Sequence, residues 1–219
     1  AIASHELKTP ITSLQGYLEL LAVKTEKNND PFFINIVARA RNQVKRMTTL
    51  IHSFLDVSRL ESGKIHLETQ TFNIGDLITE IITDIGETNP DHDIILHPTS
   101  PITVTADREK IGEVISNLLH NAVKYSPSAR KIEVFSGESN GYFEFSVKDL
   151  GAGIKEKDIN KLFDRFYRVV SAEDKPTIPG FGLGLYLCYE IIQRHKGKIW
   201  VKSDFSKGST FYFTLPVTH

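Results

Sequence analysis

Leu7, Ile11, Leu14, Leu18 and Leu21 follow one another at alternating spacings of four and three residues, the stripe of a helix packed lengthwise on a partner helix. A polar stretch, Thr25 to Asp30, interrupts the pattern, and Pro31 suits the first turn of a new helix. Phe33, Val37, Ala40, Val44, Met47, Ile51 and Phe54 then repeat the spacing, with Arg39, Arg41, Lys45 and Arg46 between them. Two helices joined by a short loop cannot bury such a seam by themselves. A four-helix bundle formed by two chains can, so a homodimer is expected, the alternative being a hairpin laid on the rest of its own chain.

After Gly63 the periodicity changes. Short β-like runs (Ile65 to Thr69, Ile94 to His97, Thr103 to Ala106) mix with helical segments from Asp76 to Ile85 and Arg108 to Lys124. Lys131 to Ser136 and Tyr142 to Val147 flank Gly137 to Gly141 as a hairpin, followed by a helix from Leu183 to His195 and a closing hairpin across Asp204 to Gly208. Strands and helices alternate too irregularly for a doubly wound sheet. The expected class is α+β: a helical hairpin over residues 1–62, then an α/β sandwich over 63–219 with a mixed sheet covered by helices on one face. Val169 to Pro179, charged and proline-bearing, is where a lid is expected.

Composition excludes several classes of function. Lys plus Arg number 26 against 27 Asp plus Glu, so no net field favours nucleic acid or an anionic membrane. The single cysteine, Cys188, rules out an internal disulfide framework and fits a reducing compartment as a small core residue. No apolar run approaches the ~20 residues that span a bilayer. The chain opens at Ala1 inside a helical pattern four residues before His5, as expected of a piece of a longer protein.

Four constellations carry chemistry. In Ser4-His5-Glu6-Leu7-Lys8-Thr9-Pro10, His5 falls about 160° around the helix from Leu7, so it faces away from the apolar stripe and shares a face with Thr9. Pro10 lacks the amide that would bond the Glu6 carbonyl, so a bend beside the histidine is expected. A neutral imidazole can act as a nucleophile, and a neighbouring carboxylate can hold its other proton. Asn117, Asn121 and Lys124 share one helix face, a set suited to a hard cation and phosphate, or else an ordinary polar face; His120 points elsewhere and reads as structural. Asp149-Leu150-Gly151-Ala152-Gly153 follows a strand and could present a carboxylate to an exocyclic amine, or be a plain turn. Gly180-Phe181-Gly182-Leu183-Gly184-Leu185 runs into a helix whose free amides favour phosphate, although neither a dinucleotide fingerprint nor a P-loop is present.

In this order the elements resemble the boxes of sensor histidine kinases of two-component systems. SHELKTP resembles the H box, NLLHNAVKY the N box, DLGAG and GFGLGL the two glycine boxes, LFDRFYRV the F box, and Gly208-Ser209-Thr210-Phe211 the last short motif. The resemblance spans essentially the whole chain. It implies a dimerisation and phosphoacceptor hairpin followed by a Bergerat-type ATP-binding domain of the GHKL class. His5 would take the γ-phosphoryl group of ATP, Glu6 would orient it, and a response-regulator aspartate would then receive it. Thr9 would position water for a phosphatase activity toward that regulator. Asn121 would ligate Mg2+, with Asn117 and Lys124 supporting metal and phosphates; Asp149 would read the adenine amine and Tyr125 would line its pocket. Gly151, Gly153, Gly180, Gly182 and Gly184 would shape the nucleotide site, Phe163 and Phe166 would anchor the lid unless they are simply core, and Arg168 would meet the γ-phosphate unless it is a surface charge. The whole protein would be a membrane-anchored bacterial sensor with this part in the cytoplasm. An ATP-driven clamp like the related gyrases and chaperones lacks the H box, and a degenerate scaffold would have lost Asn121, Asp149 or the glycines.

Overall fold

A computed structural model describes residues 11–217 apart from 13, 15, 20, 24–30, 62–66, 99, 128 and 170–181; for 46, 49, 50 and 52–61 it describes the backbone alone. His5, Glu6, Thr9, Pro10 and Gly180, and nearly all of the expected lid, lie outside the described residues. The chain divides into two compact units, Ala1–Ile65 and His66–His219.

In the first unit the described residues between 11 and 23 are helical (α1), and Pro31–Glu61 forms the 31-residue helix α2. Of the two stripes, Ile11, Val37 and Val44 are buried, and Val37 and Val44 stand one heptad apart. Leu14 is 44% exposed, Leu21 50%, Phe33 55% and Met47 49%, so much of the seam remains accessible in a single chain. No helix among the described residues is long and apolar enough to cross a membrane.

The second unit is built on a five-stranded mixed sheet. Its strands are β2 (Asp93–Leu96), β4 (Lys131–Ser139), β5 (Tyr142–Asp149), β6 (Ile199–Asp204) and β7 (Gly208–Pro216), in the order β2-β4-β5-β7-β6. β2 runs parallel to β4 and the other pairs are antiparallel. A separate antiparallel pair joins β1 (Thr69–Asn73) to β3 (Thr103–Asp107). Alternation along the strands sends Ile132, Val134, Phe143, Phe145, Val147, Phe211, Phe213 and Leu215 to one face. There they meet Leu77 and Ile78 of α3 (Ile74–Thr88), Ile111, Ile115, Leu118 and Leu119 of α4 (Arg108–Tyr125), and Cys188, Ile191 and Ile192 of α6 (Gly184–Arg194) in a single core. Complete burial pushes the Cys188 thiol up, as suits a core residue. The opposite face keeps lysines, glutamates and half-exposed rings, including a stacked Trp200–Tyr212 pair with centroids 5.1 Å apart. The expected mixed sheet with helices on one face is therefore present.

Side-chain caps place the helices. Asn73 Oδ1 accepts from the Gly75 amide at 3.0 Å and starts α3 two residues earlier than periodicity alone suggests. Asp107 does the same for α4, accepting from Lys110 N and also from Glu68 N, both at 3.0 Å. That second bond fixes where β1 begins. Of the run Ile65 to Thr69, expected as a strand, Ile65 and His66 lie outside the described residues, Leu67 and Glu68 are not in a strand, and the strand is Thr69–Asn73, whose first residue pairs with Asp107. The hairpin turn narrows within the expected Gly137 to Gly141: β4 continues through Gly137 to Ser139, and Asn140 and Gly141, with φ of 53° and 77°, make a tight two-residue turn.

Candidate functional site

The C-terminal turns of α4 carry the polar face expected of them. Asn121 donates from Nδ2 to Asn117 Oδ1 at 3.0 Å. The bond orients both amides and leaves the Asn121 carbonyl oxygen as the group a hard cation would seek. One helical turn later Lys124 is half-buried with its ammonium 4.8 Å from the centre of the Tyr125 ring. Burial first, and then the positive charge of Arg168, pull the Lys124 ammonium below the usual lysine range. A half-buried ammonium on which a second positive charge acts suits an anion.

The strand-end motif lies against this helix. Asp149, the last residue of β5, is 4% exposed. Its Oδ1 accepts from Gly151 N at 2.8 Å. Burial pushes the carboxyl above the ordinary carboxylate range, against the opposing effect of backbone amides of Gly151 and Ser209. A side chain at Gly151 would collide with the Tyr125 carbonyl, so glycine here lets the turn close onto the end of α4. Gly153, at φ 65°, is pressed on the Asp204 carbonyl, and Ile154 N donates to Ser203 Oγ at 2.8 Å. The turn is thereby strapped to the hairpin between β6 and β7.

The second glycine motif reaches the same helix at Asn117. A Cβ on Gly184 would stand 2.6 Å from Asn117 Nδ2, so the first turn of α6 abuts the amide pair only because that residue is glycine. Gly182, at φ 69°, accepts from Phe166 N at 2.9 Å through its carbonyl, and a Cβ there would meet Phe166 and Tyr167 backbone atoms at 2.6 Å. Phe163 packs partly buried against the core and beside Tyr189, with centroids 6.2 Å apart, in keeping with a packing role. Phe166 instead is 55% exposed and sits at φ 62°, with the Arg165 guanidinium 4.8 Å over its ring.

Asn117, Asn121, Lys124, Tyr125, Asp149, Gly151 and Gly184 thus gather around the end of α4, with Arg168 close enough to Lys124 to act on its charge. His120 Nδ1 lies 2.8 Å from the Ser116 carbonyl, consistent with its structural reading. Ser203 and Asp158 were not singled out by sequence reasoning. The first supports the glycine turn from β6, and the second accepts from Tyr167 Oη at 2.7 Å. Neither sits in a pattern that marks it. Among the described residues no group of three or more His, Cys, Asp or Glu could hold a metal. The side-chain oxygen of Asn121 is a group that could help hold a hard divalent cation.

A family model described as histidine kinase-, DNA gyrase B- and HSP90-like ATPase matches residues 106–219. A second, the His Kinase A phospho-acceptor domain, matches residues 1–63. The sensor histidine kinase WalK of Bacillus subtilis is 36% identical over 99% of the chain, and WalK of Staphylococcus haemolyticus is 34% identical over the same share. The chain spans 36% of the length of each of these curated relatives. Among solved structures, full-length ShkA in complex with AMPPNP matches with a TM-score of 0.80 at 22% identity, a likeness of fold, over 100% of this chain and 45% of that one. The catalytic domain of histidine kinase ThkA matches at 30% identity and a TM-score of 0.57, over 69% of this chain and 97% of that domain.

Proposed function

Because this chain belongs to the histidine kinases, joining a phospho-acceptor domain to an ATPase domain of the gyrase and HSP90 type, we propose that it transfers the γ-phosphoryl group of ATP to its own His5. The observation that carries this reading is the convergence of the Asn117–Asn121 pair, Lys124 and Gly184 with the buried carboxylate of Asp149. Asp149 would accept from the adenine amine, Tyr125 would line the base pocket, and Gly151 and Gly153 would let backbone approach the base. Gly180, Gly182 and Gly184 would do the same for the phosphates at the start of α6. Mg2+, held by Asn121 Oδ1 with Asn117 in support, would neutralise phosphate charge; Lys124 and Arg168 would bind and orient the same oxygens. Glu6 would keep His5 oriented with its attacking nitrogen unprotonated. Most of the catalysis would be positioning and charge neutralisation.

The phosphohistidine would pass its group to a response-regulator aspartate, and Thr9 would position a water that hydrolyses the resulting aspartyl phosphate, releasing inorganic phosphate in a phosphatase reaction. The accessible seam of Leu14, Leu21, Phe33 and Met47 supports a homodimer. Relatives named as sensor kinases, of which the chain spans 36%, support a larger membrane-anchored sensor with this part on the cytoplasmic side.

The test is incubation with Mg-ATP labelled on the γ-phosphate. Acid-labile, alkali-stable label on the wild type and none on His5→Gln is the expected result. Equal label on His5→Gln, or label that survives acid, overturns the proposal.

A further inference from the structure

The segment that ends in Arg168 is held in a backbone conformation its own residues disfavour. Phe166 adopts φ 62°, a left-handed conformation that an aromatic side chain rarely takes and that persists only where surrounding structure enforces it. One restraint belongs to the site already described: Phe166 N donates to the Gly182 carbonyl at 2.9 Å. The other comes from a region with no part in nucleotide chemistry. The short helix α5 (Glu156–Ile159) carries Asp158, which is 9% exposed. Tyr167 Oη donates to Asp158 Oδ1 at 2.7 Å, while Tyr167 N donates to the Asp164 carbonyl at 3.2 Å. The turns between them run through Lys161 N to Asp158 O and Asp164 N to Lys161 O, so the hydroxyl bond closes the segment on itself between residues nine positions apart. A bond to a mostly buried carboxylate is charge-assisted and stronger than a neutral one.

We propose that the Tyr167–Asp158 hydrogen bond is a positioning clamp that fixes the strained turn at Phe166 and so aims Arg168 at the phosphate end of the site. Tyr167 is covalently joined to Arg168, and its carbonyl is one of the groups packed on Gly182. Releasing its ring from Asp158 leaves the turn held at one end only. The positive charge of Arg168 acts on Lys124, at the C-terminal end of α4. Asp158 and Tyr167 are positioning residues that act through Arg168, and this inference rests on the reading of Arg168 given above.

The experiment compares Tyr167→Phe, Asp158→Ala, Asp158→Asn, Arg168→Ala and the Tyr167→Phe/Arg168→Ala double variant, reading KM and kcat for autophosphorylation together with the Kd for ADP. Tyr167→Phe and Asp158→Ala are expected to lower kcat on the order of tenfold, the effect of losing one charge-assisted bond, with KM for ATP and Kd for ADP near wild type. Asp158→Asn keeps an acceptor oxygen and is expected to recover most of the rate. In the Arg168→Ala background Tyr167→Phe should cost nothing further. A slow Arg168→Ala beside a wild-type Tyr167→Phe overturns the clamp alone, as does a Tyr167→Phe that weakens ADP as much as it slows transfer. A wild-type rate in Arg168→Ala overturns the assignment of Arg168 and the clamp with it.

Discussion

At the scale of single residues, glycine is used where backbone must touch a side chain of the candidate site. Gly184 has Asn117 within 2.6 Å of where a Cβ would stand. Gly184→Ala is expected to push the amide pair aside and weaken MgATP binding about tenfold or more, roughly one misplaced hydrogen bond, while leaving thermal stability close to wild type; calorimetric titration beside a melting curve checks both. Asp149 gives a pH dependence of defined sign. Its carboxyl lies above the ordinary range because it is buried, so it protonates at a higher pH than an exposed carboxylate as the solution is acidified. Nucleotide affinity should therefore be full above that raised value and fall as pH drops through it, and the Kd for ADP in Asp149→Asn should be weak and flat over the same range. An affinity that stayed constant down to the usual carboxylate range would contradict the assignment. These residues were legible from sequence because their relations are local: i, i+4 and i+7 on a helix for Asn117, Asn121 and Lys124, and a strand end followed by glycines for Asp149. Ser203, 49 residues from the amide it holds, was not legible because nothing near it in sequence marks that bond.

At the scale of elements, caps decide more than periodicity does. Hydrophobic spacing located α3 and α4 but could not say that Asn73 and Asp107 start them, since a cap depends on one side chain turning back on the backbone. Asn73→Ala removes the acceptor for Gly75 N. It is expected to cost about 1 kcal/mol of unfolding free energy, measurable as a lower denaturant midpoint at unchanged slope. The later start of the first strand has a similar origin: Leu67 and Glu68 lie outside it, and pairing begins with Thr69 opposite Asp107. Asn140-Gly141 was a readable turn signal, hidden because Gly137 suggested an earlier break.

At the scale of the whole molecule, the heptad pattern predicted more burial than one chain supplies. Val37 and Val44 are covered, but Leu14 and Met47 are about half exposed. Burying a side chain of that kind contributes roughly 1.5–3 kcal/mol, enough in sum to favour association. The chain is expected to sediment as a dimer at micromolar concentration, and Leu14→Glu with Met47→Glu to sediment as a monomer that keeps its nucleotide affinity. The mixed sheet after a helical region was legible from the change in periodicity after Gly63, and the family from motifs in order. In the proposed reaction the phosphoryl group of ATP ends on the imidazole of His5. Peptide mapping by mass spectrometry under mildly alkaline conditions, after incubation with Mg-ATP, reads where it ends. A single phosphoryl group on the peptide holding His5, absent from Asn121→Ala, is the predicted result; a phosphoryl group on serine, threonine or another histidine, with His5 unmodified, would contradict it.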